Sequence, residues 1–113
     1  MPHVTIEYSA DIDDSHDIHA LCVAIFDALA VHPTVSGPAS LKVRARPSAY
    51  WRTGTDPQSF AHAQLLALPG RDDAVKTSMV QTILHCMTAA LPDVGSLTVD
   101  YGDLSPYYAK RDL

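Results

Sequence analysis

Hydrophobic and polar residues alternate along several short segments of the chain, and this alternation predicts four β-strands. Near the N-terminus, Val4, Ile6 and Tyr8 alternate with Thr5 and Glu7, which is the period-two pattern of a strand buried on one face. Similar patterns, each bounded by proline, glycine or serine, predict three further strands at residues 41–46, 59–68 and 96–101.

Two segments between these strands repeat their apolar residues at intervals of three and four, as amphipathic helices do. The first contains Ile18, Leu21, Cys22, Ile25, Phe26 and Leu29. The second contains Val75, Met79, Val80, Ile83, Leu84, Met87, Ala90 and Leu91. Asp14 or Ser15 is expected to cap the first helix, which must end before Pro33 because proline disfavours a continuing helix. Residues 71–73 are expected to open the second helix.

The predicted order is strand–helix–strand twice over, in units at residues 2–46 and 59–101 that are followed by a tail at 102–113. We expect residues 1–113 to form a single domain of the α/β (α+β) class. A right-handed crossover makes the two strands of each unit parallel. The two units then combine into a four-stranded mixed sheet with both helices on one face.

Three of the eight basic residues, Lys42, Arg44 and Arg46, alternate along the second strand and therefore emerge on one face. Their charges repel one another and need anions or water around them. One interpretation is a carboxylate-binding strip, and the other is a solvated sheet edge that positive charge protects from aggregation. His62 and Gln64 are expected on the same face. Because one layer of helices cannot cover that face, we expect oligomerisation through it.

The composition excludes several classes of protein. The 113 residues are 47% hydrophobic, so a packed core is expected rather than disorder. A net charge of −5 argues against a nucleic-acid partner. No apolar run is long enough to span a bilayer, and the N-terminus lacks the basic and apolar blocks of a signal peptide. We therefore expect a cytoplasmic protein in which Cys22 and Cys86 are reduced thiols.

His16 and His19 have the spacing of metal ligands on a helix but lack a third partner, so no metal site is predicted.

The dipeptide Met1-Pro2 offers a candidate catalytic base. Proline is small enough for the preceding methionine to be removed, which leaves a secondary amine at the first position of a strand. A free α-amino group titrates near pH ~8, and burial that lowers this pKa by about two units, or roughly 2.7 kcal/mol, makes it a neutral base at physiological pH. If Met1 is retained, Pro2 carries an amide nitrogen and cannot act as a base. The alternative interpretation gives Pro2 no chemical role.

Five short segments, spread almost from end to end, together resemble a known family. They are PHVTIEYS at 2–9, LKVRARPS at 41–48, FAHA at 60–63, PGR at 69–71 and KR at 110–111. With them, the chain resembles the 5-carboxymethyl-2-hydroxymuconate isomerase family of the tautomerase superfamily. The resemblance implies a homotrimer with active sites near the subunit boundaries. It also implies cofactor-free ketonisation of a small-molecule carboxylate, a dienol tricarboxylate from the catabolism of aromatic compounds.

The resemblance also implies which residues form the site. Pro2 matches the catalytic base of the family, which takes a proton from the dienol hydroxyl and returns it along the conjugated system. Lys42 and Arg44 match two arginine positions, and Arg71 matches a third. The expected role of these three cations is to bind substrate carboxylates and to stabilise the charge that develops during proton transfer.

Departures from the family pattern keep other functions open. Lys42 stands where the family usually has arginine, and an ammonium group lacks the bidentate fork of a guanidinium. Asp72 and Asp73 follow Arg71, where they either cap the second helix or add negative charge near the approaching substrate. The alternatives are a relative that decarboxylates, hydrates or dehalogenates a small acid, and a non-catalytic ferredoxin-like binding module whose basic strand is an interface.

Overall fold

A computed structural model describes residues 2–113 as a four-stranded sheet with two α-helices. The strands are β1 (His3–Ser9), β2 (Lys42–Ser48), β3 (Phe60–Ala67) and β4 (Ser96–Asp103). The helices are α1 (Ile18–Ala30) and α2 (Asp73–Ala90), and short 3-10 turns form at Ala10–Asp14 and Pro38–Ser40. This order confirms the predicted strand–helix–strand repeat and the predicted fold class.

The strands lie in the order β2-β1-β3-β4. β1 runs parallel to β2, β3 runs parallel to β4, and the two central strands β1 and β3 are antiparallel. The sheet is therefore mixed, as predicted. It follows that β1 and β2 begin at the same end of the sheet at which β3 and β4 finish. Since Pro2 directly precedes β1, this end is called the Pro2 end below.

The core lies between the sheet and the two helices. From β1 and β3 it takes residues that alternate along each strand and have no exposed surface, namely Val4, Ile6, Ala63 and Leu65. From the helices it takes Leu21, Ile25, Leu29, Met79, Ile83 and Met87, each at most 1% exposed. Burying one such large aliphatic side chain contributes about 1.5–3 kcal/mol. The alternation predicted for the strands and the three- and four-residue spacing predicted for the helices thus mark the residues that meet in this core.

The predicted cap of α1 is wrong. The helix begins at Ile18 and is capped by Asp17, whose carboxylate accepts the backbone N–H of Ala20 at 3.0 Å. Neither Asp14 nor Ser15 occupies that position. The preceding residues fold into a 3-10 turn that buries Ile12, and this turn delays the start of the helix.

Two strands also extend beyond their predicted ends. β2 continues to Ser48 because it stays paired with β1 through Pro47, and a missing N–H costs no ladder bond on the outer side of an edge strand. β4 continues to Asp103, directly before Leu104, whose N–H donates to the carbonyl of Ala67 at 2.7 Å.

The sheet face opposite the helices carries the residues that alternate with the core positions. It is called the open face below and comprises His3, Thr5, Glu7, Lys42, Arg44, Arg46, Phe60, His62, Gln64, Leu66, Ser96, Thr98 and Asp100. Neither α1 nor α2 covers it, since both pack on the other side. Lys42, Arg44 and Arg46 share this face, as their alternation predicts. Neither helix in the described part of the chain combines the length and the apolar character needed to cross a membrane.

Candidate active site

Pro2 lies directly before β1 and is hydrogen-bonded to β2. Its ring is less than 2% exposed, and its carbonyl accepts the backbone N–H of Lys42 at 3.1 Å. Because β1 is a central strand, the backbone just after Pro2 is fixed from both sides. Met1 lies outside the described residues, and so does the prediction about its removal.

Lys42 and Arg44 bring two positive charges close to His3, the residue after Pro2. Lys42 pairs with His3, the residue directly after Pro2, and Arg44 pairs with Thr5. The Nη1 of the Arg44 guanidinium lies 3.2 Å from the Nδ1 of the His3 imidazole. The Lys42 side chain is 40% exposed, and its Nζ lies 4.0 Å from a carboxylate oxygen of Asp112. The two cations therefore lie on the open face beside the start of β1.

Arg71 lies at the same end of the sheet but is tied to the backbone. Its Nη1 donates to the carbonyl of Leu68 at 3.2 Å and its Nη2 to that of Thr34 at 3.0 Å. Among the described residues, its buried Nε has no acceptor. The pairing of His3 with Leu66 brings the turn after β3 beside the start of β1. Arg71 thus joins two loops near Pro2, and its role in substrate binding stays a prediction.

His3 and Tyr108 complete this cluster, and no pattern in the sequence assigned them a role. The Nε2 of His3 lies 2.7 Å from the Tyr108 hydroxyl, and the two rings meet edge to face with centroids 5.6 Å apart. Burial, followed by the charges of Arg44 and Lys42, lowers the pKa of His3 below its usual 6.5. His3 is therefore neutral at physiological pH. The 105 positions between His3 and Tyr108 explain why local periodicity could not reveal the pair.

The sequence of this chain matches a known protein family. A family model described as 5-carboxymethyl-2-hydroxymuconate isomerase matches residues 2–98, most of the chain, beginning at Pro2. The chain belongs to this isomerase family. Its membership makes the protein an isomerase and confirms the resemblance drawn from the five sequence segments. It also favours an enzyme over a non-catalytic binding module.

Solved structures share the fold of this isomerase family member. It is similar to the crystal structure of a 5-carboxymethyl-2-hydroxymuconate delta-isomerase, at 23% identity and a TM-score of 0.84, over 99% of this chain and 88% of that chain. It is similar to a 5-carboxymethyl-2-hydroxymuconate isomerase from Deinococcus radiodurans, at 21% identity and a TM-score of 0.82, over 98% and 90% of the two chains. A fused 4-OT wild type symmetric trimer is similar at 16% identity and a TM-score of 0.73, over 90% and 85%. No curated protein matches the chain by sequence.

The structure decides what one of the acidic residues after Arg71 does in this isomerase. Asp72 caps α2, and its carboxylate accepts the backbone N–H of Val75 at 2.9 Å. Asp73 is the first residue of the helix, where a negative charge interacts favourably with the helix dipole. Asp72 is thus engaged by the helix, in agreement with the capping interpretation.

The residues lining one large cavity do not include Pro2. This cavity has a volume of about 660 Å³, lies between α1 and β2, and is lined by Tyr8, His16, Phe26 and Arg44 among others. A smaller cavity of about 350 Å³ lies on the open face between Arg44, Arg46 and His62. Arg44 borders both. The candidate active site considered below is the one expected at Pro2, because cavity size alone indicates no chemistry.

Histidine and acidic side chains also meet elsewhere, but they do not form a metal centre. His16 is held on both sides, with Nδ1 2.8 Å from the Ser15 hydroxyl and Nε2 2.7 Å from a carboxylate oxygen of Asp93. Within residues 2–113, no three histidine, cysteine, aspartate or glutamate side chains come together closely enough to hold a metal ion.

Proposed function

We propose that the protein is a tautomerase that ketonises a 2-hydroxydienoate such as 5-carboxymethyl-2-hydroxymuconate, with the nitrogen of Pro2 as its acid–base group. The observation that carries this proposal is the position of Pro2. It is buried, it directly precedes a central strand, and a backbone hydrogen bond joins it to the strand that carries Lys42 and Arg44. Removal of Met1 would leave a secondary amine there whose charged form burial disfavours.

The proposed reaction moves one proton within the substrate. The neutral amine of Pro2 takes the proton from the 2-hydroxyl group, and the oxygen becomes a carbonyl as the conjugated double bonds shift. The protonated amine then returns the proton to carbon, so the same nitrogen serves as base and then as acid. No atom is gained or lost, and no cofactor is required.

The cations have separate parts in this proposal. Lys42 and Arg44 bind substrate carboxylates on the open face and stabilise the dienolate charge as it develops. Arg71 holds the neighbouring loops through the carbonyls of Leu68 and Thr34, and the second N–H of its Nη1 and of its Nη2 is left to bind an anion.

We also propose that the protein is a cytoplasmic homotrimer that acts in the catabolism of aromatic compounds. The open face supports the assembly, because it leaves apolar residues such as Phe60 and Leu66 beside charged ones with no helix over them. The fold shared with a symmetric trimer supports it as well. Light scattering coupled to size-exclusion chromatography measures the subunit number directly, and a monomer at micromolar concentration contradicts this part of the proposal.

The test of the chemistry compares the protein with and without Met1. Intact mass gives the fraction of chains that begin at Pro2, and treatment with a methionine aminopeptidase increases it. Ultraviolet absorbance follows the ketonisation of a 2-hydroxydienoate. We expect the rate to rise in proportion to the trimmed fraction. Full activity of chains that retain Met1 would refute the role of Pro2.

A smaller acid is the second candidate substrate. The observation that favours it is the pair between Lys42 and Asp112, which offsets part of the charge available to a tricarboxylate. A panel of β-keto acids and 3-halo-acrylates distinguishes the two candidates. Decarboxylation or hydration faster than ketonisation identifies the second.

A further inference from the structure

The C-terminal segment, residues 104–113, returns to the Pro2 end of the sheet and touches the candidate site at two points. Tyr108 contacts His3 through its hydroxyl, and Asp112 lies near Lys42. The segment starts with the N–H of Leu104 on the carbonyl of Ala67, at the end of β3. Its course therefore places a phenol beside the residue that follows Pro2.

The hydrogen-bond chemistry fixes the direction of the chain formed by Arg44, His3 and Tyr108. A guanidinium carries only donors, so the Nδ1 of His3 must be the acceptor for Arg44 at 3.2 Å. A neutral imidazole that accepts at Nδ1 carries its proton on Nε2. The Nε2–H of His3 then donates to the Tyr108 oxygen at 2.7 Å. Each group in this chain has one role available to it.

We propose that His3 and Tyr108 are positioning residues, which hold the Arg44 guanidinium in the orientation that receives a substrate carboxylate. This inference rests on the proposed function in one respect, because it takes Arg44 to be a carboxylate-binding residue. Arg44 is exposed, and a free arginine side chain at a sheet surface would sample many rotamers. Fixing it before the substrate arrives reduces the entropy lost on binding. Tyr108 acts on Arg44 only through His3.

The hydrogen bonds that join Arg44, His3 and Tyr108 depend on pH in a defined direction. Protonation of His3 puts a proton on Nδ1, where it faces Arg44, and removes the acceptor. The charged and titratable groups around His3 are Arg44 and Lys42 from β2, the N-terminal amine, and Tyr108 from the C-terminal segment, while its partner Leu66 on β3 does not ionise. Both cations oppose the protonated imidazole, so the chain is intact at neutral pH. It is lost as the pH falls through the lowered pKa of His3.

The experiment removes the hydroxyl oxygen of Tyr108 from this set of hydrogen bonds. Tyr108→Phe keeps the ring that packs on His3 and deletes only the oxygen that accepts its proton. The matched control is Tyr107→Phe, next to it in sequence but 90% exposed. We expect Tyr108→Phe to raise KM for a dicarboxylate or tricarboxylate substrate about three- to tenfold, the effect of one hydrogen bond, with kcat changed less than twofold. We expect Tyr107→Phe to leave both parameters unchanged.

A conservative substitution of His3 provides the rescue. In His3→Gln, the amide can accept from Arg44 with its oxygen and donate to Tyr108 with its nitrogen, yet it does not titrate. We expect KM to stay near the wild-type value and to lose its rise at acidic pH. In His3→Phe both bonds disappear, and KM should rise as in Tyr108→Phe. A KM of His3→Gln as high as that of His3→Phe, at equal thermal stability, would overturn the proposal.

Two readouts do not depend on catalysis. Nitrogen-15 NMR of the imidazole, assigned by comparison with His3→Gln, should show the Nε2–H tautomer at pH 7.5. Calorimetric titration with succinate should show weaker binding to Tyr108→Phe than to Tyr107→Phe. If the wild type turns over no dienol but both readouts behave as expected, the proposed reaction fails and the positioning role stands. An Nδ1–H tautomer, or equal succinate affinity in the two variants, refutes the positioning role.

Discussion

Replacing Pro2 by alanine separates its chemical role from its packing role. Alanine is also small enough for Met1 to be removed, so the variant still begins with an α-amine. The ring of Pro2 is less than 2% exposed, and the substitution deletes two buried methylenes, worth about 1.6 kcal/mol. Domains of this kind are stable by about 5–15 kcal/mol, so the variant stays folded at 25 °C.

The catalytic loss should be larger than this packing loss. A positioned acid–base group contributes about 10²–10⁴-fold, which is about 2.7–5.4 kcal/mol of activation free energy. Alanine retains a primary amine but lacks the ring that fixes the direction of the nitrogen. We therefore expect kcat to fall at the lower end of that range, about a hundredfold.

Val4→Ala is the matched control for this prediction. Val4 lies two residues further along β1, points into the same core and has no exposed surface. It also loses two carbon atoms, about 1.6 kcal/mol of transfer free energy, but it leaves the N-terminal amine untouched. The assay combines intact mass, a urea unfolding curve and the initial rate of ketonisation. Equal losses of kcat in the two trimmed variants would show that Pro2 serves packing alone.

Three further predictions test other contacts. Lys42→Met should raise KM for a carboxylate substrate about tenfold while Lys42→Arg keeps it low, since the lost contact is a charged hydrogen bond; equal KM values contradict this. Burial of the phenol, its hydrogen bond to Asp13 and that carboxylate's charge raise the pKa of Tyr8 to about 12. The unfolded phenol ionises near pH ~10, so urea unfolding should show stability falling between about pH 10 and 12, and Tyr8→Phe should reduce that slope. Gly95→Ala places a Cβ against a backbone carbonyl oxygen of the preceding loop and should cost about 1–3 kcal/mol, whereas the Cβ of Gly54→Ala meets nothing within 4 Å; equal melting temperatures contradict this.

The sequence was sufficient for the elements that are half buried. In β1, Val4 and Ile6 enter the core while Thr5 and Glu7 do not, so a period of two appears in the order of residues itself. The end of β2 was missed because the alternation stops at Arg46 while the pairing with β1 continues to Ser48. Pairing depends on a neighbouring strand, which local periodicity does not contain.

The candidate site was predictable only in part, for a similar reason. Pro2, Lys42, Arg44 and Arg71 were expected from residue type and from resemblance, and the structure gathers all four at the Pro2 end of the sheet. The contacts that orient them were not predictable. The bond from Arg71 to Thr34 spans 37 positions between two loops, and no propensity of either residue anticipates it.

The repeat within the chain gives Pro2 a counterpart. The carbonyl of Ser59, just before β3, accepts the N–H of Ser96 at 3.1 Å, as the carbonyl of Pro2 accepts that of Lys42 at 3.1 Å. At Ser59, however, the nitrogen is a peptide link within the polypeptide whether or not Met1 is removed. The second strand–helix–strand unit therefore does not supply a second terminal amine. Under the proposed mechanism, any further catalytic centre of this type comes from an additional copy of the polypeptide.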